Sequence, residues 1–149
     1  MKLNLNRNKR YAIPIMTHPG IELIKKTVKA AVTDGQTHAD AIIALSENTP
    51  SDAATVIMDL TVEAEAFGAK LHFSENDVPS VAERLLHDRN EVENLRIPDT
   101  DTARIPEYLK ANRLAAERIN DRPVFAGCIG PYSLAGRLYD MSEMMMAIY

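Results

Sequence analysis

The chain holds a single cysteine, Cys128, so no disulfide can form within it. One lone thiol fits a reducing compartment. No stretch approaches the roughly 20 apolar residues that a helix needs to cross a bilayer. The first ten residues carry Lys2, Arg7, Lys9 and Arg10 among asparagines, which leaves no hydrophobic segment for a secretory signal. Beyond that arm there is no basic stripe. A net charge of −4 argues against a nucleic-acid partner and against an anionic membrane. No repeat or low-complexity segment is visible. The expectation is a soluble, cytoplasmic protein. Its 149 residues amount to one domain, and 46% hydrophobic content is ordinary for a globular chain.

What is present is organised around residues 55–68, TVIMDLTVEAEAFG. Thr55, Val56, Ile57 and Met58 form an apolar run with β-branched members, the length of a buried strand and too short for a helix. Asp59 follows at the strand's C-terminal end. A carboxylate there is costly unless it is paired, capping a helix or facing a ligand crevice. Val62, Ala64, Ala66 and Phe67, mixed with Glu63 and Glu65, then suit a short helix that Gly68 stops. Strand, acid, short helix and glycine is how α/β enzymes present a polar group at a strand mouth. Asp is also a favoured N-cap, so both roles stay open for Asp59.

The remaining segments alternate in the same way. Residues 11–16, YAIPIM, read as a strand ended or pushed to an edge by Pro14, with His18 in the turn after it. Ile21, Ile24, Val28, Ala31 and Val32 recur at helical spacing up to Asp34-Gly35. Thr37 resembles an N-cap with Asp40 as partner, followed by Ala39, Ile42, Ile43 and Leu45, with His38 expected to face solvent. Residues 69–73 read as a short strand with His72 exposed. Ser80 and Glu83 form a capping box ahead of Val81, Leu85 and Leu86. Residues 88–101 read as a surface connection. Ile105, Leu109, Ala116 and Ile119 mark an amphipathic helix, with Pro106 tolerated in its first turn. Residues 123–129, PVFAGCI, read as a second apolar strand, with Cys128 buried in it as a small hydrophobe. Gly130-Pro131 opens a helix through Leu134, Ala135 and Leu138, and a last helical pattern begins at Ser142, its consecutive methionines read as core filler. Strands separated by helices predict a parallel sheet or barrel.

Two stretches, residues 55–68 and residues 122–138 (RPVFAGCIGPYSLAGRL), resemble the uroporphyrinogen decarboxylase superfamily. That group includes the decarboxylases and the cobamide-dependent methyltransferases that methylate coenzyme M and similar thiols. The resemblance runs from about Tyr11 to the end of the chain. It implies a (β/α)8 barrel, which takes roughly 200 residues or more; this chain supplies about three or four of the eight strands and is expected to be its N-terminal half, spanning residues 1–149 as one unit.

The branch is decided by a turn. Decarboxylases carry Met-Arg-Gln-Ala-Gly-Arg after the first strand, whose arginines bind porphyrinogen carboxylates. Here residues 16–21 read Met-Thr-His-Pro-Gly-Ile, with Thr17 and Ile21 in the arginine positions, and Arg137 stands about where decarboxylases have a tyrosine. Bidentate guanidinium contacts are the strong ones to carboxylates, so porphyrinogen is a poor candidate, and the combination VEAEAFG with GPYSLAGRL is more similar to the methyltransferase branch. That branch implies a zinc ion that lowers the pKa of the thiol, held by a histidine and two cysteines later than the point where this sequence stops. It also implies a corrinoid protein or free cobamide as partner and a small thiol as methyl acceptor. No metal site is expected among these 149 residues.

The resulting expectation is part of a corrinoid-dependent methyltransferase, with Asp59 as catalytic residue and His18, Thr17, Tyr132 and Arg137 contacting substrate. The alternatives are a decarboxylase-like lyase acting on a carboxylated substrate and a non-catalytic half-barrel assembly module. By itself the chain is expected to be inactive and to self-associate or to need the missing half of the barrel, since open sheet edges invite pairing.

Overall fold

The computed structural model describes residues 8–15 and 17–146; residues 1–7, Met16 and residues 147–149, with the parts of the basic arm, first strand and last helical pattern that fall on them, lie outside. In chain order the elements are α1 (His18–Leu23), α2 (Val28–Thr33), α3 (Gly35–Asn48), β1 (Ala54–Thr55), α4 (Val62–Ala66), β2 (Leu71–His72), β3 (Ser80–Val81), α5 (Arg89–Glu93), α6 (Ile105–Arg118), β4 (Val124–Phe125), α7 (Pro131–Tyr139) and α8 (Met141–Met146). The architecture is α/β, part of a (β/α)8 barrel, with β1 and β4 paired in parallel and Ala54 opposite Val124.

The first expected strand lies beside β1 without forming a regular ladder. Pro14 has no N–H to give, and side chains do the joining. Asp52 takes the Ala12 N–H on Oδ2 at 2.8 Å and gives its own N–H to the Ala12 carbonyl at 2.9 Å, while the Thr55 hydroxyl donates to the Pro14 carbonyl at 3.2 Å.

Helices α3 and α6 cover β1 and β4. Ile42, Ala54, Val56, Ala115 and Ile119 form the cluster between them, and burying each of the larger side chains contributes roughly 1.5–3 kcal/mol. A second cluster gathers Ile21, Val28, Ala31, Val32 and Ala41 around Ile57. A third joins Ala64, Ala69, Leu86 and Leu138. Gly20 permits α1 to lie against α3, because a Cβ there would run into the Ala41 carbonyl. Gly68, at φ 103°, ends the α4 turn as glycine should.

Several expectations are corrected. The helical pattern of residues 21–33 is two helices, broken at Lys25 (φ 55°), with the Thr27 hydroxyl accepting the Ala30 N–H to start α2. Asp34, not Thr37, caps α3; its carboxylate accepts the Gln36 and Thr37 N–H groups and the Thr37 hydroxyl, which holds its pKa down to about 2. Ser80 opens no helix. It lies in β3, antiparallel to β2, and Glu83 pairs with Lys70 at 2.7 Å instead of closing a capping box. The strand at Leu71–His72 therefore belongs to a hairpin outside the parallel sheet. The connection of residues 88–101 is exposed but contains α5, capped by Asp88. Met145 and Met146 are exposed rather than core filler. None of the described helices is long and apolar enough to cross a membrane.

Candidate functional site

The residues after β1 decide where the site lies. Ile57 is buried in the helical cluster and Met58 turns outward. The next side chain, Asp59, is 0% exposed. A carboxylate so placed must find donors, and it finds four. Oδ1 accepts the Thr61 N–H at 2.9 Å and the Thr61 hydroxyl at 2.6 Å, which fixes the turn into α4. Oδ2 accepts Arg104 Nη1 at 2.7 Å and the Tyr108 hydroxyl at 3.1 Å.

Arg104 stands just before α6, and its fork spans three parts of the fold. It also donates from Nε to Glu65, from Nη2 to the Thr61 hydroxyl at 2.9 Å and from Nη1 to the Val32 carbonyl at 3.3 Å. Phe73 lies under the guanidinium at 5.2 Å. Burial works against its charge, but Asp59 and Glu65 outweigh it and raise the pKa. Tyr108 has its hydroxyl pKa raised by burial and by the adjacent Asp59 charge. Its ring meets His38 edge-on, centroids 4.9 Å apart.

His38 corrects its expectation of facing solvent, being 0% exposed. Its Nε2 accepts the Ile57 N–H at 3.0 Å, which assigns the proton to Nδ1, an atom with no partner among the described residues. Burial lowers the imidazole pKa to about 4, with Asp59 pulling the other way. The ring is therefore neutral at physiological pH.

Asp59 and Tyr108 both line a cavity of about 500 Å³. Its other walls are mostly apolar, among them Ile15, Val56, Met58, Leu109, Phe125 and Ile129, with Thr55, Glu63, Asn112 and Cys128 as polar members. Glu63 is already engaged, accepting the Ile129 N–H at 3.0 Å. Asn112 Oδ1 is buried and has no partner among the described residues. No lysine or arginine is among the lining residues.

The other expected site residues are placed elsewhere. Thr17 is buried and its hydroxyl donates to the Thr55 carbonyl at 3.2 Å. His18 is exposed at the start of α1. Tyr132 and Arg137 are exposed on α7. None of these four lines the cavity with Asp59. Cys128 is exposed past the end of β4, contrary to a buried strand position, because the ladder stops at Phe125. Sequence reasoning missed Arg104 and Tyr108 as partners of the acid, and His38 as the buried ring against Tyr108; only the placement of Arg104 and Tyr108 around the first turn of α6 was there to notice.

For the zinc that the resemblance implies, the donor set does not fit. Among the described residues no three His, Cys, Asp or Glu side chains come together as a metal site needs. The exposed Cys128 thiol has no histidine beside it in the cavity wall, and no step is assigned to a metal held by these residues.

A family model described as uroporphyrinogen decarboxylase matches residues 10–149. A methylcobamide:CoM methyltransferase of Methanosarcina mazei is 33% identical over 86 residues, covering 56% of this chain and 25% of that protein. A solved methyltransferase, also from Methanosarcina mazei, matches with a TM-score of 0.76 at 24% identity, over 91% of this chain and 40% of its own length. That second likeness speaks for the fold alone. The chain thus spans a quarter of the one relative and two-fifths of the other. With a single family model covering the parallel sheet, the helices around it and the Asp59 turn, the chain belongs to the uroporphyrinogen decarboxylase family.

Proposed function

We propose that this protein serves methyl transfer from a methylcobamide to a small thiol such as coenzyme M, in the cytoplasm, with the cavity beside Asp59 as part of the substrate site. One observation carries the choice of branch. The two positions where decarboxylases hold carboxylate-binding arginines are Thr17 and Ile21, and both are buried in the packing around α1 and β1. Arg104, the cation nearest the cavity acid, is spent on Asp59 and Glu65. A ligand with many carboxylates finds no guanidinium fork there. The similarity to a methylcobamide:CoM methyltransferase supports the same branch.

When bound, a methylcobamide supplies the methyl group and the thiol accepts it with loss of its proton. The chain's own part is to surround the reactants with apolar walls, which keep water away. Asp59, wholly buried and held by Thr61, Arg104 and Tyr108, keeps the turn behind that wall in place. A corrinoid protein or free cobamide is the partner of this reading.

The test is to give the protein, as it is made in the cell, methylcob(III)alamin and 2-mercaptoethanesulfonate and to follow the corrinoid spectrum and the methylated thiol. Thiol-dependent demethylation is expected. Release of CO2 from uroporphyrinogen without methyl transfer would restore the decarboxylase reading.

A further inference from the structure

Most polar groups around the cavity are engaged by the chain itself. Asp59 is wholly buried and its charge is matched by Arg104. The Thr55 and Tyr108 hydroxyls donate to the Pro14 carbonyl and to Asp59. Asn112 gives its amide N–H to the Tyr108 carbonyl at 2.8 Å, and its oxygen is buried. Glu63 differs from these. Its Oε1 accepts the Ile129 N–H at 3.0 Å, which ties the first turn of α4 to the segment after β4 and holds the carboxylate in place. Its Oε2 has no hydrogen bond or ion pair among the described residues, yet it is not buried, and the side chain is half-exposed at the cavity wall.

No lysine or arginine stands among the lining residues to offset that charge. Apolar walls strengthen the field of a fixed carboxylate. An anion is repelled there, whereas a cation with an N–H to give gains a charge-assisted hydrogen bond. We propose that the cavity takes an alkylammonium ligand, its N–H donating to Glu63 Oε2 and its apolar part lying on Ile15, Met58, Leu109 and Phe125. Glu63 is then a specificity-determining residue that selects cationic over anionic groups at this wall. A sulfonate carried by an acceptor thiol is turned away from it. The inference goes beyond the methyl-transfer reading and does not rest on it.

The probes are n-pentylamine, 1-pentanol and pentanoate at pH 7, where the same alkyl chain carries a positive, a neutral and a negative head. Binding to the full chain is followed by the 13C signal of the Glu63 carboxyl carbon and by calorimetry. The ammonium is expected to bind about tenfold more tightly than the alcohol, the worth of one charge-assisted hydrogen bond, with pentanoate weakest. Glu63→Gln keeps an oxygen for the Ile129 N–H and removes only the charge. It is expected to weaken pentylammonium binding about tenfold and to leave pentanol binding unchanged. Equal ammonium affinity in both proteins overturns the proposal, as does an absence of saturable ammonium binding. If Glu63→Gln does not fold, the unchanged protein still decides: an ammonium that binds no better than the alcohol, or leaves the Glu63 signal unmoved, overturns it. No methyl transfer is read here, so failure of this test leaves the methyltransferase reading standing, and the reverse.

Discussion

Arg104 and Asp59, 45 residues apart in the chain, meet in an ion pair of 2.7 Å with the carboxylate wholly buried and the guanidinium 8% exposed. The pair joins the turn after β1 to the start of α6, so it sets the wall of the cavity as well as the packing behind it.

Removing one partner of a buried pair costs far more than the pair is worth, since the other charge is left unmatched. Arg104→Met is expected to lose roughly 3–5 kcal/mol in a denaturant melt. Adding Asp59→Asn to it should recover part of that loss. A cost below about 1 kcal/mol for Arg104→Met, the range of an exposed pair, would show that the contact is dispensable.

His38 makes stability depend on pH. Its folded pKa of about 4 lies below the ordinary 6.5, so the unfolded chain binds more protons between these values. Its contribution is fully present above 6.5 and is lost as pH falls towards 4. At 1.36 kcal/mol per unit, the loss amounts to roughly 3 kcal/mol. Urea melts from pH 7 to pH 4 should show this slope, and His38→Gln, which can still accept the Ile57 N–H, should flatten it. An unchanged slope in the variant would contradict the assignment.

Gly20→Ala places a methyl group against the Ala41 carbonyl, so α1 must move off α3. The expected cost is roughly 1–3 kcal/mol, as for other overpacked sites. A melting temperature equal to that of the unchanged protein would mean that the two helices are less closely packed than described.

Produced as these 149 residues alone, the chain is expected to associate with itself. Ile15 at 58%, Met58 at 54% and Leu109 at 54% are exposed around the cavity, and a few hundred Å² of wet apolar surface is worth several kcal/mol at ~25 cal/mol per Å². Light scattering at micromolar concentration should give a mass above that of one chain. A monomer with a cooperative melt would contradict this.

Local patterns in the sequence were readable where local chemistry decides. Val62–Ala66 and Ile105–Arg118 are helices, as their periodicity and Pro106 predict, and Gly68 stops the first of them. Asp59 stands among the cavity-lining residues, as its place after an apolar run led one to expect. Of its two open roles the structure shows neither a ligand contact nor the N-cap itself: Thr61 is the N-cap of α4, and Asp59 holds the turn before it by accepting the Thr61 N–H and hydroxyl. What could not be read depends on distant partners. The Ser80 capping box yields to a hairpin because Leu71 and His72 offer it a ladder. His38 is buried because the Ile57 N–H needs an acceptor. Arg104 shows no sign in the sequence of the acid it neutralises, since nothing local marks a partner 45 residues away.

The most direct measurement compares the binding of two ligands to the protein as it is made in the cell. Calorimetric titration with a uroporphyrin, as a stable polycarboxylate, should give no saturable binding at micromolar concentration. Each buried charged contact missing at Thr17 and Ile21 costs on the order of 2–5 kcal/mol. A methylcobamide in the same experiment should bind saturably. Tight uroporphyrin binding with none of the methylcobamide would contradict the account.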